Sequence, residues 1–175
     1  MIEEAASRYL GTAHVYGDHI DTDRIIPGKY TKTLDLNHLA DHVLEDLDPT
    51  FRERVQPGDI LVAGKNFGCG SSREQAPLAL KAAGVVAVVA SSFARIFYRN
   101  AINIGLPAVE IGSHQIRSGH QVEVDLTAGV VRDRTTGKVY PATRMPPVML
   151  AILQAGGLVN YLGRHGDYDT ATIRG

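Results

Sequence analysis

The chain has 175 residues, enough for one well-buried core and too few for two comfortable domains. With 44% hydrophobic and 21% charged residues its composition is that of an ordinary globular protein, and a formal charge of -1 argues against the basic surface that nucleic acids require. A single cysteine, Cys69, excludes an internal disulfide and any iron–sulfur cluster ligated wholly by this chain. No apolar run is longer than that from Val85 to Ala90, which is too short to span a bilayer. The acidic start MIEEAASRYL lacks the basic-then-apolar order of a secretory signal, so a cytoplasmic location is expected.

Thr12 to Tyr16 mixes β-branched and aromatic residues and predicts a short strand, ended by a turn at Gly17-Asp18. The polar run His19 to Arg24 leads to Ile25-Ile26 and a second turn at Pro27-Gly28. From Leu34 to Leu47 the apolar positions Leu36, Leu39, Ala40, Val43 and Leu47 recur at near-helical spacing, with Asp35 as candidate cap and Pro49 beyond the end. Ile60 to Ala63 predicts a buried strand after the turn Pro57-Gly58-Asp59. Leu78, Ala79, Ala82 and Ala83 make a helical stripe that begins near Pro77 and stops at Gly84.

Val85 to Ala90 is rich in valine, as a strand covered on both faces should be. Ser91 or Ser92 would cap the next helix, with Phe93, Ile96, Phe97 and Ala101 inward and Gly105 past its end. Leu106 to Ile111 is a strand whose Pro107 makes its start an edge or an entry rather than a central rung. Strand, helix, strand, helix, strand from Ile60 to Ile111 predicts an α/β core. Gln121 to Leu126, Val130-Val131 and Lys138 to Tyr140 predict an antiparallel meander with one wet face. Short helical pieces at Val148 to Leu153 and Leu158 to Leu162 complete one domain over residues 1–163, with a polar tail over 164–175.

The stretch GKNFGCGSSREQAP, Gly64 to Pro77, carries the chemistry. Gly64, Gly68 and Gly70 let the backbone turn tightly and approach a ligand. Ser71 and Ser72 are placed at the entrance to a helix, where free N–H groups favour an anion, and Arg73 adds a planar fork for a carboxylate or phosphate. Two readings stand on these residues alone: an anion site beside a nucleophile or base, and a glycine-rich turn with a capping serine and a solvent-facing arginine. The stretch fits neither the Walker pattern, the dinucleotide fingerprint nor the GxSxG elbow.

GCGSSREQAPLALKAAG and SSFARIFYRNAINIGLP, with GDHIDTDRIIPGKY before them and GGLVNYL after, resemble the small subunits of 3-isopropylmalate dehydratase and related homoaconitases. They are also similar to the C-terminal swivelling domain of aconitase. The resemblance covers nearly the whole chain and implies a single α/β swivelling domain, of β/β/α type. It implies that Ser71 is the catalytic base, that Ser72 helps hold the substrate carboxylate, and that Arg73 clamps a carboxylate. Gly70 belongs to the same loop. Asp21 and Asp23 are placed by it near the active-site mouth as support. Lys32 falls in the loop Tyr30 to Thr33 that meets the variable end of the substrate, a hydroxy di- or tricarboxylate. The family's large subunit carries three cysteines holding a [4Fe–4S] cluster, so the cofactor is expected on a partner and none on this chain.

Other residues point less sharply. The cluster Asp18, His19, Asp21, Asp23 and Arg24 has metal-ligand composition, but no spacing fixes a geometry. Cys69 reads as a structural or loop residue, Arg95, Arg99 and Asn100 as surface or interface groups, and the scattered histidines as structural or solvent-facing. A carboxylate-binding module without catalysis is the second class of function, and a hydrolase working alone is the third. Within the catalytic class, homoaconitase and 2,3-dimethylmalate dehydratase are the alternatives to 3-isopropylmalate dehydratase, because Lys32 is cationic where an apolar wall would suit an isopropyl group. Against that, a lysine can lay its methylenes on apolar surface and send its ammonium to water.

Overall fold

A computed structural model describes residues 7–165. The polar tail therefore lies almost wholly outside the described residues. One seven-stranded sheet organises the chain, in the order β4-β3-β2-β1-β5-β6-β7. Its central member, β1 (Arg8–Val15), serves two halves. Arg8 to Thr12 pair antiparallel with β5 (Gln121–Asp125), and Ala13 to Val15 pair parallel with β2 (Ile60–Ala63). On one side β2, β3 (Ala87–Ala90) and β4 (Ala108–Glu110) are parallel, joined by helices α4 (Gln75–Ala82) and α5 (Arg95–Asn103). On the other, β5, β6 (Val130–Asp133) and β7 (Val139–Pro141) form the antiparallel meander.

Every residue of β2 and β3 is buried, which explains their unbroken apolar sequence. Their alternation feeds two cores. Leu61, Ala63, Val88 and Ala90 pack with helical residues such as Leu39, Leu80, Phe97 and Ile152. Ile60, Val62, Ala87 and Val89 meet Val122, Val124 and Val131 of the meander, so the sheet curls over itself. Each fully buried large aliphatic side chain contributes about 1.5–3 kcal/mol. No helix among the described residues is long and apolar enough to cross a membrane.

Several elements depart from the sequence expectation. The helix expected from Leu34 to Leu47 is α2 (Leu36–His42), capped as expected by Asp35, which accepts from the N–H groups of Asn37 and His38. It stops early because Leu44 has φ +56 and donates its N–H to the Ile25 carbonyl at 2.8 Å. A left-handed conformation costs a leucine roughly 1–2 kcal/mol. Its side chain is fully buried, which offsets that cost by a similar amount. Two four-residue helices, α1 (Thr22–Ile25) and α3 (Phe51–Arg54), have no apolar periodicity long enough to announce them.

At α5 the N-cap is Ala94, without a side-chain cap, and Ile96 is exposed rather than inward. Ser92 serves another segment, its hydroxyl accepting from Asn66 N–H at 2.9 Å. The meander's polar face is not wet: Glu123 and Asp125 are buried under Arg8, Arg132 and Arg134. Arg134, then Arg132, hold the Glu123 carboxyl below the usual carboxylate range. The closing helices are α6 (Pro147–Gln154) and α7 (Leu158–His165), the latter running past the boundary expected at 163.

Candidate active site

The glycine-rich loop lies alongside the polar run that follows β1. Gly64 N–H donates to Gly17 O at 3.1 Å, His19 N–H to Lys65 O at 2.8 Å, Gly68 N–H to Ile20 O at 2.8 Å, and Thr22 N–H to Cys69 O at 2.8 Å. Asp18 Oδ1 accepts from Lys65 N–H at 2.7 Å, so this aspartate is a backbone clamp. The result is a short parallel pairing that continues beyond the ends of β1 and β2 and carries both polar segments to the same end of the sheet. On its other flank the loop is tied down by Phe67, which donates to Ser92 O at 3.1 Å and accepts from Ala94 N–H at 2.9 Å.

Two glycines are required by this path. Gly68 has φ +84, and a β-carbon there would lie 2.3 Å from the Phe97 ring. Gly70 has φ +92 beside Asp21 and Thr22, a conformation that an L side chain resists even though space exists. Gly70, Ser71 and Ser72 are all exposed. The Ser71 carbonyl accepts from the buried Thr22 hydroxyl at 2.8 Å, which fixes the backbone. Its own hydroxyl takes part in none of the bonds that hold the loop. α4 begins at Gln75, after Glu74 as N-cap and two residues before the start expected near Pro77, so the serines sit on the approach to it.

Asp21 and Asp23 have different tasks. Asp21 caps α1, accepting from Arg24 N–H at 2.9 Å. Asp23 reaches across to Arg73, whose Nη1 donates to Asp23 Oδ1 at 2.8 Å and to Ile26 O at 3.2 Å. Gly28 N–H also donates to Asp23 Oδ1 at 3.0 Å. Arg73 and then Gly28 hold the Asp23 carboxyl below its ordinary value, so it stays ionised. Because Nη1 is used up by these two contacts, Nε and Nη2 remain as a two-pronged edge, the geometry that a carboxylate accepts bidentately.

Lys32 is exposed. Its loop is anchored just before it, by Gln75 Nε2 donating to Thr31 O at 3.1 Å and by Tyr30 stacked on His42 at 3.8 Å. Thr22, Gln75 and Ser92 are thus supporting residues that sequence reasoning missed. Each does its work through a partner far along the chain, which no local pattern records. The residues brought together by the loop pairing are Ser71, Arg73, Asp21 and Asp23. Arg99 is exposed, and among the described residues no group of three or more His, Cys, Asp or Glu side chains has the arrangement of a metal site. His14 is structural, buried with its Nε2 2.7 Å from Asp59 Oδ2.

A family model described as the aconitase C-terminal domain matches residues 12–114. Among curated proteins, the chain is 58% identical over 156 residues to a 3-isopropylmalate dehydratase small subunit of Caldicellulosiruptor bescii, covering 88% of this chain and 94% of that protein. It is 56% identical over 146 residues to a methanogen homoaconitase small subunit of Methanothermobacter thermautotrophicus, covering 83% of this chain and 85% of that protein. Among solved structures, a 3-isopropylmalate dehydratase from Methanocaldococcus jannaschii superposes with a TM-score of 0.87 at 46% identity, covering 91% of this chain and 95% of that one.

Proposed function

This chain belongs to the aconitase C-terminal domain family, among the small subunits of 3-isopropylmalate dehydratase, and on that premise we propose that it works in leucine biosynthesis as one half of such a hydro-lyase. The reaction is the interconversion of 2- and 3-isopropylmalate by loss and return of water. The observation that carries this reading is the loop itself: an exposed Ser71 two positions before an arginine whose Nη1 is fixed by Asp23 and Ile26.

In this reading a substrate carboxylate docks on Nε and Nη2 of Arg73, helped by Ser72. Ser71 Oγ takes the proton from the carbon beside that carboxylate. The electron pair left behind spreads towards the carboxylate oxygens, where the guanidinium stabilises it. Hydroxide leaves the neighbouring carbon and an alkene forms. Water returning to the other carbon, with the proton given back by Ser71, moves the hydroxyl. A serine in water is a very poor base, so its alkoxide needs a desolvated, electropositive setting. Ser71 is exposed in the single chain, and covering it is the task of a partner.

Departure of hydroxide calls for a Lewis acid. This chain has one cysteine, and its residues do not make a ligand set for an iron–sulfur cluster. We assign the [4Fe–4S] cluster and its three cysteines to the large subunit, and the pair to the cytoplasm.

Asp23 is a positioning residue in this scheme. Asp23→Ala in the assembled enzyme is expected to raise KM about tenfold with a smaller change in kcat, because Arg73 loses its aim and not its charge. Steady-state kinetics on isopropylmalate read it, and unchanged KM would separate Asp23 from substrate binding.

A homoaconitase reading stays as second choice, on the exposed Lys32 and the homoaconitase relative. The reconstituted enzyme should be assayed on isopropylmalate, homoaconitate and dimethylmalate, with Lys32 native and as Lys32→Leu. Preference for isopropylmalate, little altered in the variant, is expected. Preference for homoaconitate that the variant loses would make Lys32 a carboxylate reader and overturn the substrate assignment. Turnover of none of the three would favour a carboxylate-binding module.

A further inference from the structure

A cavity of about 750 Å³ lies away from the loop of Ser71, Ser72 and Arg73, and none of those residues lines it. It forms at the seam where the curled sheet closes. Thr143 N–H donates to Glu110 O of the edge strand β4 at 2.8 Å, and Ala142 N–H donates to Gly129 O just before β6 at 2.9 Å, so residues 142–143 bridge the parallel and antiparallel halves of the sheet. The space between the bridge, α5 and α6 is the cavity. Its volume is within the range of small-molecule sites, roughly 300–1,000 Å³.

The lining divides by chemistry. Phe93, Tyr98, Leu126, Met145, Met149 and Leu150 make an apolar floor, with the Phe93 and Tyr98 rings 5.8 Å apart. Arg95 and Arg144 also line it, and neither has a carboxylate partner within ion-pairing distance among the described residues. Of the two acidic groups present, one is ion-paired and the other has a neutral partner. Asp125 is held by Arg8, Arg132 and the Ala128 N–H, and Glu110 accepts from the Thr143 hydroxyl at 3.1 Å. The N-terminus of α5, which has no side-chain cap, opens between Phe93 and Arg95. Two uncommitted guanidiniums, with helix N–H groups beside one of them, favour an anion over an apolar floor.

We propose that this cavity is a second ligand site, taking an amphiphilic carboxylate whose apolar body lies on Phe93, Tyr98 and Met149 and whose head group meets Arg95 and Arg144. The site stands apart from the catalytic loop and does not depend on which hydroxy acid that loop transforms. Phe93 stands edge-on to Phe67, ring centres 6.1 Å apart, so the cavity wall is also the support of the glycine-rich loop.

The test is a titration of the full-length chain, labelled with nitrogen-15, with 4-phenylbutanoate, and separately with 4-phenylbutan-1-ol, the same body without charge. Saturable shifts of the amides of residues 93–98, 126–129, 142–145 and 148–150 are expected with the carboxylate, and binding at least tenfold weaker with the alcohol. Arg95→Ala together with Arg144→Ala is expected to weaken the carboxylate at least tenfold and leave the alcohol unchanged. Both arginines are exposed, and the spectrum of the variant itself reports that the fold is kept. Equal binding of acid and alcohol, shifts confined to residues 70–73, or no saturable binding would each overturn the proposal.

Discussion

Ser71→Ala is expected to lower kcat of the assembled enzyme by about three to four orders of magnitude, at the upper end of what a positioned general base contributes. The change removes one oxygen from an exposed hydroxyl that takes no part in holding the loop. The backbone there is fixed from elsewhere, by the Thr22 hydroxyl on the Ser71 carbonyl and by the pairing of residues 17–22 with the loop. Complex formation and thermal stability should therefore be unchanged. Turnover of 3-isopropylmalate, measured with the amount of complex checked by gel filtration, reads the result. Turnover within tenfold of the parent would remove Ser71 from the base role.

Arg73→Lys is the second large effect, about a hundredfold in kcat/KM. A lysine keeps the charge and loses the fork, and the loss of one preorganised donor at developing charge typically costs about 10²–10³. The geometry sharpens the expectation. In the parent, Nη1 is held by Asp23 Oδ1 and Ile26 O, which leaves Nε and Nη2 for a second carboxylate. An ammonium cannot serve both: drawn to Asp23, it leaves the substrate carboxylate without a partner. Loss in the lysine variant equal to that in Arg73→Ala would show that the fork and not the charge matters. Full activity in the lysine variant would contradict the clamp.

The sequence announced some of this architecture and hid the rest for identifiable reasons. β2 and β3 were legible because both are covered on two faces, which leaves a continuous apolar run. The early end of α2 was not, since Leu44 is turned into a left-handed conformation by a carbonyl from Ile25 in a different element. Glu123 and Asp125 read as a wet face because alternation of polar and apolar residues cannot reveal that arginines from three places cover the polar side. At the site, the Gly-rich loop was visible as a loop and the resemblance assigned Ser71, Ser72 and Arg73 their roles. The contact of Asp23 with Arg73 joins positions 50 apart and exists only because two segments run in parallel beyond the ends of β1 and β2. The cavity at the seam was invisible for the same reason, being assembled from the edges of β4, the β5–β6 turn and residues 142–150.

The division of labour between this chain and a cluster-bearing partner is tested most directly by one assay in three arms. Formation of 2-isopropylmalate from 3-isopropylmalate is followed anaerobically with this chain alone, with the large subunit alone, and with both. The account predicts a colourless, inactive preparation of this chain, no turnover by the large subunit alone, and full turnover only with the two together. An iron- and sulfide-containing preparation of this chain that turns over isopropylmalate by itself would contradict it.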